Sequence, residues 1–301
     1  MQTSSKASDM QQSSCGSEWT TVIRPKNRLL EVNLKEIWDY RDLLSLFVKR
    51  DIITQYKQTI LGPLWYLIQP ALTVIMYMVV FGGIAGIPTD GVPQPLFYLG
   101  GVCLWQYFSD CLTKTSNTFV TNSNIFGKVY FPRLISPLSN TISNLVRFAI
   151  QFGLFAVVYV CYLLCGVHVT PNWYALLFPV LVLMIAGLSL GFGIIISSMT
   201  TKYRDLQILF TFIVQLWMYA TPIVYPLSQV QGKQIMGLDL TTLMSLNPVT
   251  PVIETFKYGF LSAGTFIGWG WLAYSFIFMT LLLFLGIIIF NRVQKSFMDT
   301  V

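Results

Sequence analysis

Residues 148–201 read FAIQFGLFAVVYVCYLLCGVHVTPNWYALLFPVLVLMIAGLSLGFGIIISSMTT and contain no Asp, Glu, Lys or Arg. A helix needs about 20 apolar residues to cross the hydrocarbon core of a bilayer, so this stretch is long enough for two crossings. Four further stretches also lack charged residues, namely 58–89, 91–109, 206–232 and 258–291. Each is long enough, or nearly so, for one crossing, which indicates a protein that passes through a membrane several times.

The composition of the whole chain agrees with this. Hydrophobic residues make up 54% of the 301, charged residues make up 11%, and the mean hydropathy is +0.62. Soluble domains carry about 25% charged residues, so this chain has too few to cover a water-facing surface. The apolar stretches lack the alternation that a membrane barrel requires, and open strand edges cannot exist in lipid. The sequence therefore predicts an all-α membrane protein.

We predict six transmembrane helices, at about 64–87, 95–113, 138–165, 173–199, 206–225 and 269–291. Residues 1–30 are expected to form a disordered cytoplasmic tail, because they are rich in serine and lack the apolar run of a signal peptide. An amphipathic interfacial helix is expected within 31–60, and the transmembrane domain over 61–301. Close helix approach is indicated by three pairs of glycines four residues apart: Gly82/Gly86, Gly187/Gly191 and Gly264/Gly268.

The distribution of basic residues predicts the orientation of the chain. With both termini in the cytoplasm, sixteen of the nineteen Lys and Arg residues fall on the inner side. Only Lys233 and Lys257 fall outside, and Arg147 lies within the third span. This bias is what the positive-inside rule demands. It also explains the net charge of +6 through contact with anionic lipid headgroups, so nucleic acid is not needed as a partner.

Residues 34–57 have most of their apolar side chains on one helical face and most of their charges on the other. This pattern predicts an amphipathic helix lying along the cytoplasmic headgroups, with a helix packed on a soluble partner as the alternative. Leu61-Gly62-Pro63 is expected to turn this helix into the first span, since Gly permits a bend and Pro suits a helix start.

The last outward segment, 226–268, is too long for a simple turn and too apolar for a solvated loop. Several prolines interrupt it, and Thr250-Pro251 is typical of a helix start. We expect one or two short helices that dip back into the outer leaflet and form an outer gate. The alternative is a short helical cap that rests on the outer surface.

Most catalytic chemistry is absent from the sequence. It has no Gly-x-x-x-x-Gly-Lys-[Ser/Thr] segment, so no P-loop for ATP, and its single histidine and five cysteines form no zinc-binding or C-x-x-C pattern. Within the spans the charged residues are Asp110, near the inner end of the second, and Arg147, in the third. Ion-coupled transporters usually need acidic groups near the membrane midplane, so an external energy source is favoured.

Ordered motifs from about residue 45 to 265 resemble a known family, the polysaccharide exporter permeases of the ABC-2 type. In the first half, the matching residues are Arg50-Asp51, Gln55-Tyr56-Lys57, Leu61-Gly62-Pro63-Leu64-Trp65, Gly100-Gly101, Leu104-Trp105, Ser116-Asn117, Asn122 and Lys128-Val129-Tyr130-Phe131-Pro132-Arg133. In the second half they are Lys202-Tyr203-Arg204-Asp205, Gln215-Leu216-Trp217, Thr221-Pro222-Ile223-Val224-Tyr225-Pro226 and Leu246-Asn247-Pro248.

The resemblance implies a function and a set of partners. In that family two permease copies assemble with two copies of a separate cytoplasmic ATPase, which holds the ATP and Mg, and the permease itself holds no cofactor. The complex exports a polysaccharide across the bacterial inner membrane, often linked through pyrophosphate to a polyprenyl lipid, as in O-antigen or teichoic acid. By this resemblance the chain is a transporter subunit in lipopolysaccharide-type export, not an enzyme.

The resemblance also implies roles for individual residues. Leu61 and Gly62 would form a cytoplasmic lateral gate, or else a plain structural bend. Arg50 and Lys57 would contact the lipid pyrophosphate, although the positive-inside rule explains basic residues there without a ligand. A coupling helix would lie in the loop 122–133 and dock on the ATPase, unless this is an ordinary basic loop. Its candidate contact residues are Asn122, Lys128, Tyr130 and Arg133.

Aromatic and amide side chains in the spans suggest a path for the sugar. A sliding polymer needs apolar ring faces with a few polar tips, which Tyr and Trp provide. Tyr66 and Gln69 follow the gate, and Gln215 and Tyr219 lie one turn apart on the fifth span. We therefore predict that these four residues line a channel between the first and fifth spans, although most aromatics in membrane helices contact lipid or neighbouring helices.

Two other functions stay open at the level of sequence. A membrane enzyme acting on a lipid-linked sugar would have to use Asp110, Asp205 or Glu254, which are well separated along the chain. A flippase that is not driven by ATP is the second. A neighbouring gene for an ATPase would favour the exporter over both.

Overall fold

The computed structural model describes residues 34–300, apart from 58, 127, 130, 168, 202, 204, 236, 263 and 265. The side chains of 34, 56, 123, 124, 235 and 294–300 are also outside the described part. The predicted tail, 1–30, therefore lies outside the described residues, as does Tyr130 of the predicted coupling loop.

The chain enters the described region through two helices, α1 (Leu34–Asp39) and α2 (Arg41–Tyr56). They lie at the end of the bundle that the sequence predicts to be cytoplasmic; we call it the inner end, and the opposite end the outer end. They confirm the helix predicted over 34–57, with a break at Tyr40, where φ is −93° and ψ is 20°. α2 packs against α7 (Ile135–Leu164), and Phe47 of α2 is buried. Trp38 and Leu46 are exposed.

A sharp bend connects α2 to the first long helix. The first long helix starts at the bend with the 3-10 turn Gly62–Leu64. It continues as α3 (Trp65–Tyr77) and ends in a π-helical segment, Met78–Ile84. Gly62 has a φ of +48°, in the left-handed region that glycine adopts without steric cost, and Pro63 occupies the first turn. The predicted roles of these two residue types in the bend are confirmed.

Five further long helices complete the membrane region: α4 (Gln94–Ser116), α7 (Ile135–Leu164), α8 (Phe178–Thr200, preceded by the 3-10 turn Trp173–Leu177), α9 (Leu206–Tyr219) and α12 (Trp269–Thr300). Four segments are long and apolar enough to cross a membrane: Gly62–Ile84, Ile135–Leu164, Trp173–Thr200 and Trp269–Val293. α4 has sufficient length but is more polar, and α9 is apolar but shorter. Together the six correspond to the six predicted spans.

Two predicted boundaries need correction. α9 ends at Tyr219 and not at 225, because Pro222 lacks a backbone N–H and disfavours helical geometry in the residue before it. α12 continues to Thr300 and so extends well past the predicted end at 291. Here the charged residues after 291 end the apolar run without ending the helix.

The core of the bundle is α8, which packs between α4 and α12. Glycines allow the approach to α12. A Cβ on Gly187 would lie 2.4 Å from the sulfur of Met279, and one on Gly191 would lie 3.0 Å from Leu282. In membranes, association depends on close van der Waals packing, so small residues at a contact bring helices together. The Gly187/Gly191 spacing therefore marks a helix contact, as predicted.

Short elements fill the loops. On the inner side, α5 (Thr118–Thr121) and α6 (Ser123–Phe126) lie between α4 and α7. On the outer side, a 3-10 turn (Leu227–Val230), a hairpin of β1 (Gln234–Ile235) and β2 (Leu238–Asp239), α10 (Leu240–Ser245) and α11 (Thr250–Leu261) lie between α9 and α12. The prediction of one or two short helices in the outer segment is confirmed by α10 and α11.

Candidate substrate path and coupling site

Polar side chains from four helices meet at the inner end of the bundle. We call Gln55, Tyr66, Asp110, Lys114 and Arg147 the inner polar cluster. The hydroxyl of Tyr66, on the first turn after the bend, is hydrogen-bonded to the side-chain amide of Gln55 near the end of α2. The Tyr66 ring lies under the guanidinium of Arg147, whose carbon is 4.3 Å from the ring centroid. The two helices that flank the bend are thereby tied to each other and to α7.

An ion pair between α4 and α7 forms the centre of this cluster. Arg147 contacts the Oδ2 atom of Asp110, and both side chains are 17% exposed. Gln106 donates to the other carboxylate oxygen of Asp110 at 3.0 Å. Ionisable residues in membrane helices usually pair with one another, because an isolated charge in hydrocarbon is costly. The two intramembrane charges identified in the sequence are therefore partners.

Lys114 lies one turn beyond Asp110 on α4. Its ammonium donates to Oδ1 of Asn144 at 2.9 Å. When the Gln55 nitrogen donates to the Tyr66 hydroxyl, the Gln55 oxygen accepts from Lys114 at 3.2 Å and from Arg147 at 3.3 Å. Gln55 and Lys114 were not predicted as site residues. Charged residues in membrane helices usually pair with other polar groups, so the polar residues one helical turn from Asp110 and Arg147 could have been examined as candidates.

The predicted headgroup residues Arg50 and Lys57 are placed differently from each other. Arg50 pairs with Asp51 at 2.8 Å and lies over the ring of Phe47, 4.6 Å from its centroid. Lys57 follows α2 and is exposed. They are two helical turns apart, so they share a side of the helix, but no contact between them is recorded among the described residues.

The predicted coupling loop contains residues with unlike surroundings. Asn122 is buried, and its amide donates to the carbonyl of Thr118 at 3.1 Å and to the hydroxyl of Ser136 at 2.8 Å. Lys128 is exposed. Arg133 lies 5.7 Å from the ring centroid of Phe126, and burial lowers the pKa of its guanidinium. Asn122 therefore holds the loop to α7, whereas Lys128 is accessible to a partner.

An aromatic cluster fixes this loop against α2. Phe131 contacts Phe47 edge to face with ring centroids 5.5 Å apart, and Phe126 lies 5.6 Å from Phe131. Phe119 stacks on Phe290 of α12 at 4.7 Å. Edge-to-face and offset ring pairs of this kind add stabilisation beyond the area they bury. The loop and α2 therefore form one packed unit at the inner end of the molecule.

The four residues predicted to line a channel do not share one surface. Gln69, Gln215 and Tyr219 are exposed, whereas Tyr66 is only 5% exposed and hydrogen-bonded within the inner polar cluster. Tyr66 is therefore not exposed like the other three. α3 and α9 do meet, since the hydroxyl of Tyr77 lies 3.3 Å from the sulfur of Met218.

A second buried ion pair lies in the outer segment. Glu254 and Lys257 of α11 are each 1% exposed, with Nζ and Oε1 3.4 Å apart. Lys257 also donates to the carbonyl of Pro222 after α9, and its Nζ lies 4.1 Å from the ring centroid of Phe97 on α4. This lysine therefore joins α11, the end of α9 and α4 at the outer end of the bundle.

Of the three acids that a membrane enzyme would have to use, two are in ion pairs and the third, Asp205, is exposed at the start of a helix. Asp110 pairs with Arg147, Glu254 pairs with Lys257, and Asp205 accepts a hydrogen bond from the first amide of α9 at 3.0 Å. Among the described residues, no three His, Cys, Asp or Glu side chains come together in a way that could hold a metal ion.

Comparisons with known proteins agree with the predicted family. The family described as ABC-2 type transporter matches residues 42–261. The O-antigen export system permease protein RfbA of Myxococcus xanthus is 28% identical over 225 residues, which cover 74% of this chain and 82% of that protein. A Klebsiella pneumoniae protein of the same name is 24% identical over 258 residues, covering 86% and 94%. The polysialic acid transport protein KpsM of Escherichia coli is 22% identical over 264 residues, covering 85% and 95%.

The family match extends from the start of α2 to the end of α11, and so includes the bend, the inner polar cluster, the coupling loop and the outer ion pair. It spans well over half of the chain. The chain belongs to the ABC-2 type transporter family.

Proposed function

We propose that this protein is the membrane subunit of an ABC exporter that moves a lipid-linked polysaccharide across the bacterial inner membrane. The observation that carries the proposal is the match to the ABC-2 family over residues 42–261, joined by relatives that are named as O-antigen and polysialic acid exporters. The pairing of Asp110 with Arg147 and of Glu254 with Lys257 supports transport over catalysis, since each of these two acids has a basic counter-ion.

The energy comes from a separate cytoplasmic ATPase, which binds ATP and Mg. This part of the proposal is supported by the sequence, which contains no P-loop. Two copies of the chain pair with two copies of the ATPase, and both termini face the cytoplasm. The excess of basic residues on that side supports the orientation.

The substrate enters from the inner leaflet beside the bend at Leu61 and Gly62, where Arg50 and Lys57 meet the pyrophosphate. It then passes along a face that carries Gln69, Gln215 and Tyr219. Their exposure supports this part of the path, and the burial of Tyr66 removes that residue from it. The outer segment, held by Lys257, acts as the outer gate.

Reconstitution tests the energy source. The purified chain alone is expected to hydrolyse no ATP, whereas the chain together with its partner ATPase in proteoliposomes should hydrolyse ATP and carry a lipid-linked glycan across the bilayer. Phosphate release and glycan protection are measured in parallel. ATP turnover by the isolated chain, persisting after contaminating ATPases are removed, would contradict the proposal.

A charge reversal tests the coupling loop. Because Lys128 is exposed on a loop that packs against α2, Lys128→Glu should lower co-purification of the ATPase several-fold while leaving membrane insertion unchanged. Lys49→Glu, on an exposed site of α2, is the matched control. Binding and transport at the wild-type level in Lys128→Glu would show that this loop is not the docking site.

A further inference from the structure

A pocket of about 190 Å³ lies at the outer end of the bundle, between the 3-10 turn Leu227–Val230, α10 and the start of α12. We call it the outer pocket. Part of its wall is irregular backbone, which at a membrane boundary has to be covered by protein or to face water. The pocket side of this backbone is open, so the pocket is suited to a water-soluble ligand. Among its lining residues are Gln231, Thr241, Thr242, Ser245, Phe266 and Trp271.

The lining combines neutral hydrogen-bonding groups with aromatic rings. Every residue that lines the outer pocket is uncharged. The hydroxyls of two threonines and one serine, and the amide of Gln231, can each donate and accept hydrogen bonds. The rings of Phe266 and Trp271 add apolar faces. A sugar has hydroxyl groups at its edge and C–H groups on its ring face, so it matches both features, whereas an ion would find no counter-charge in this lining.

The hydroxyls of the lining are only partly used within the protein. Ser245 donates to the carbonyl of Thr241 at 2.8 Å and Thr242 donates to Asp239 at 3.1 Å, so both hydroxyl oxygens can still accept. Within the described part of the chain, the covered hydroxyl of Thr241 has no hydrogen-bond partner, and such a group calls for a ligand or another explanation. The Thr241 side chain is half-buried, so a change of rotamer can turn this hydroxyl toward an occupant of the pocket.

Packing behind the outer pocket fixes its two ring walls. The ring centroid of Phe266 lies 4.6 Å from that of Tyr174. Tyr274 packs edge to face on Trp271 with centroids 5.8 Å apart, and its hydroxyl donates to the carbonyl of Leu246, directly after α10, at 3.0 Å. The rings are therefore held in place before a ligand binds, and a preformed site loses less conformational entropy on binding.

We propose that the outer pocket binds one neutral sugar unit, with a ring face of the sugar on Trp271 and its hydroxyl groups hydrogen-bonded to Gln231 and Thr241. The volume of the pocket equals that of about six water molecules, which suits a single sugar ring and excludes a longer folded segment. As far as the sugar belongs to the exported glycan, this inference rests on the proposed function.

The outer pocket adjoins the end of the proposed sugar path. The hydroxyl of Tyr225 donates to the carbonyl of Tyr219, a residue of that path, at 3.0 Å and lies 3.7 Å from the sulfur of Met244. Met244 belongs to α10, which also contributes Thr241 and Ser245 to the pocket. A sugar held here lies close to the exit of the path, where weak binding opposes backward sliding of the polymer.

Binding of soluble sugars to the full chain in complex with its ATPase, held in nanodiscs without ATP, tests the site. Saturation-transfer NMR measures the affinities of three neutral trisaccharides, built of mannose, galactose and rhamnose, and of the acidic trimer of sialic acid. At least one neutral trisaccharide should bind, and it should bind more tightly than the acidic trimer, because the lining carries no charge.

Three variants assign the binding to the pocket. Trp271→Ala should weaken it about tenfold through loss of the ring face, and Trp271→Phe should retain most of it. Thr241→Val should weaken it about two- to tenfold, the range for one neutral hydrogen bond, without lowering the unfolding temperature, because the hydroxyl has no partner within the described part of the chain to lose. The control Trp173→Ala removes an exposed tryptophan at the same end, outside the pocket, and should leave binding unchanged.

The outcomes separate this site from the proposed function. Weaker binding of a neutral trisaccharide by folded Trp271→Ala and Thr241→Val proteins supports the site, even if ATP-driven export is never observed. Export by a wild-type complex that binds none of the neutral trisaccharides would overturn the site and leave the proposed function intact. Wild-type affinity in both Trp271→Ala and Thr241→Val, or tighter binding of the sialic acid trimer than of every neutral probe, would also overturn it.

Discussion

Replacing Arg147 with methionine is expected to destabilise the protein strongly. Among the described residues, the change removes the one ion-pair partner of Asp110 and leaves its carboxylate among packed helices with the Gln106 amide as its hydrogen-bond donor. Breaking one side of a buried ion pair costs about 3–5 kcal/mol, and the partial exposure of this pair places the loss near the lower end. The same substitution removes the cation–π contact of Tyr66 with α7, so the contact between α3 and α7 should weaken.

Thermal unfolding in detergent or nanodiscs measures this effect. The double variant Arg147→Met, Asp110→Leu should recover most of the lost stability, because replacing both charges with apolar groups leaves no buried charge. Lys233→Met, which removes an exposed lysine in the outer segment, is the control and should change stability by less than about 0.5 kcal/mol. An Arg147→Met protein as stable as the control would show that the pair contributes nothing.

The second large effect is expected at the outer end of the bundle. Lys257→Met leaves Glu254 buried without its cation and leaves the carbonyl of Pro222 without its donor. Since both charged side chains are 1% exposed, water cannot compensate, and the loss should lie near the upper end of about 3–5 kcal/mol. The connection between α11 and the end of α9 should loosen, which would open the proposed outer gate.

Labelling of a cysteine by a thiol reagent distinguishes a local loosening of the outer segment from a loss of stability in the whole protein. In a Lys257→Met background, a cysteine at Pro222 should react faster with a water-soluble reagent added from outside than the same cysteine with Lys257 intact. The partly compensated variant Lys257→Met, Glu254→Gln should restore stability, because it removes the uncompensated charge. Equal stability and equal labelling in the presence and absence of Lys257 would show that this lysine does not hold the outer segment.

The sequence alone determined the class of fold and the order of the long helices. Hydrocarbon offers no hydrogen-bond partners, so every charge-free stretch of sufficient length has to become a helix, and its length is set by the bilayer. The sequence also placed the bend at Gly62 and Pro63, because Gly permits a positive φ and Pro suits a helix start. The ordered motifs added the family.

Only the tertiary structure decided which side chains meet. The rotation of each helix about its axis is set by packing against its neighbours and leaves little trace in a uniformly apolar sequence. For this reason Tyr66 was expected on the channel face, whereas packing turns it toward Gln55 and Arg147. Asp110 and Arg147 are far apart along the chain and become partners only because α4 and α7 lie side by side. The sequence placed charges in the membrane, and the packing of the helices determined what those charges contact.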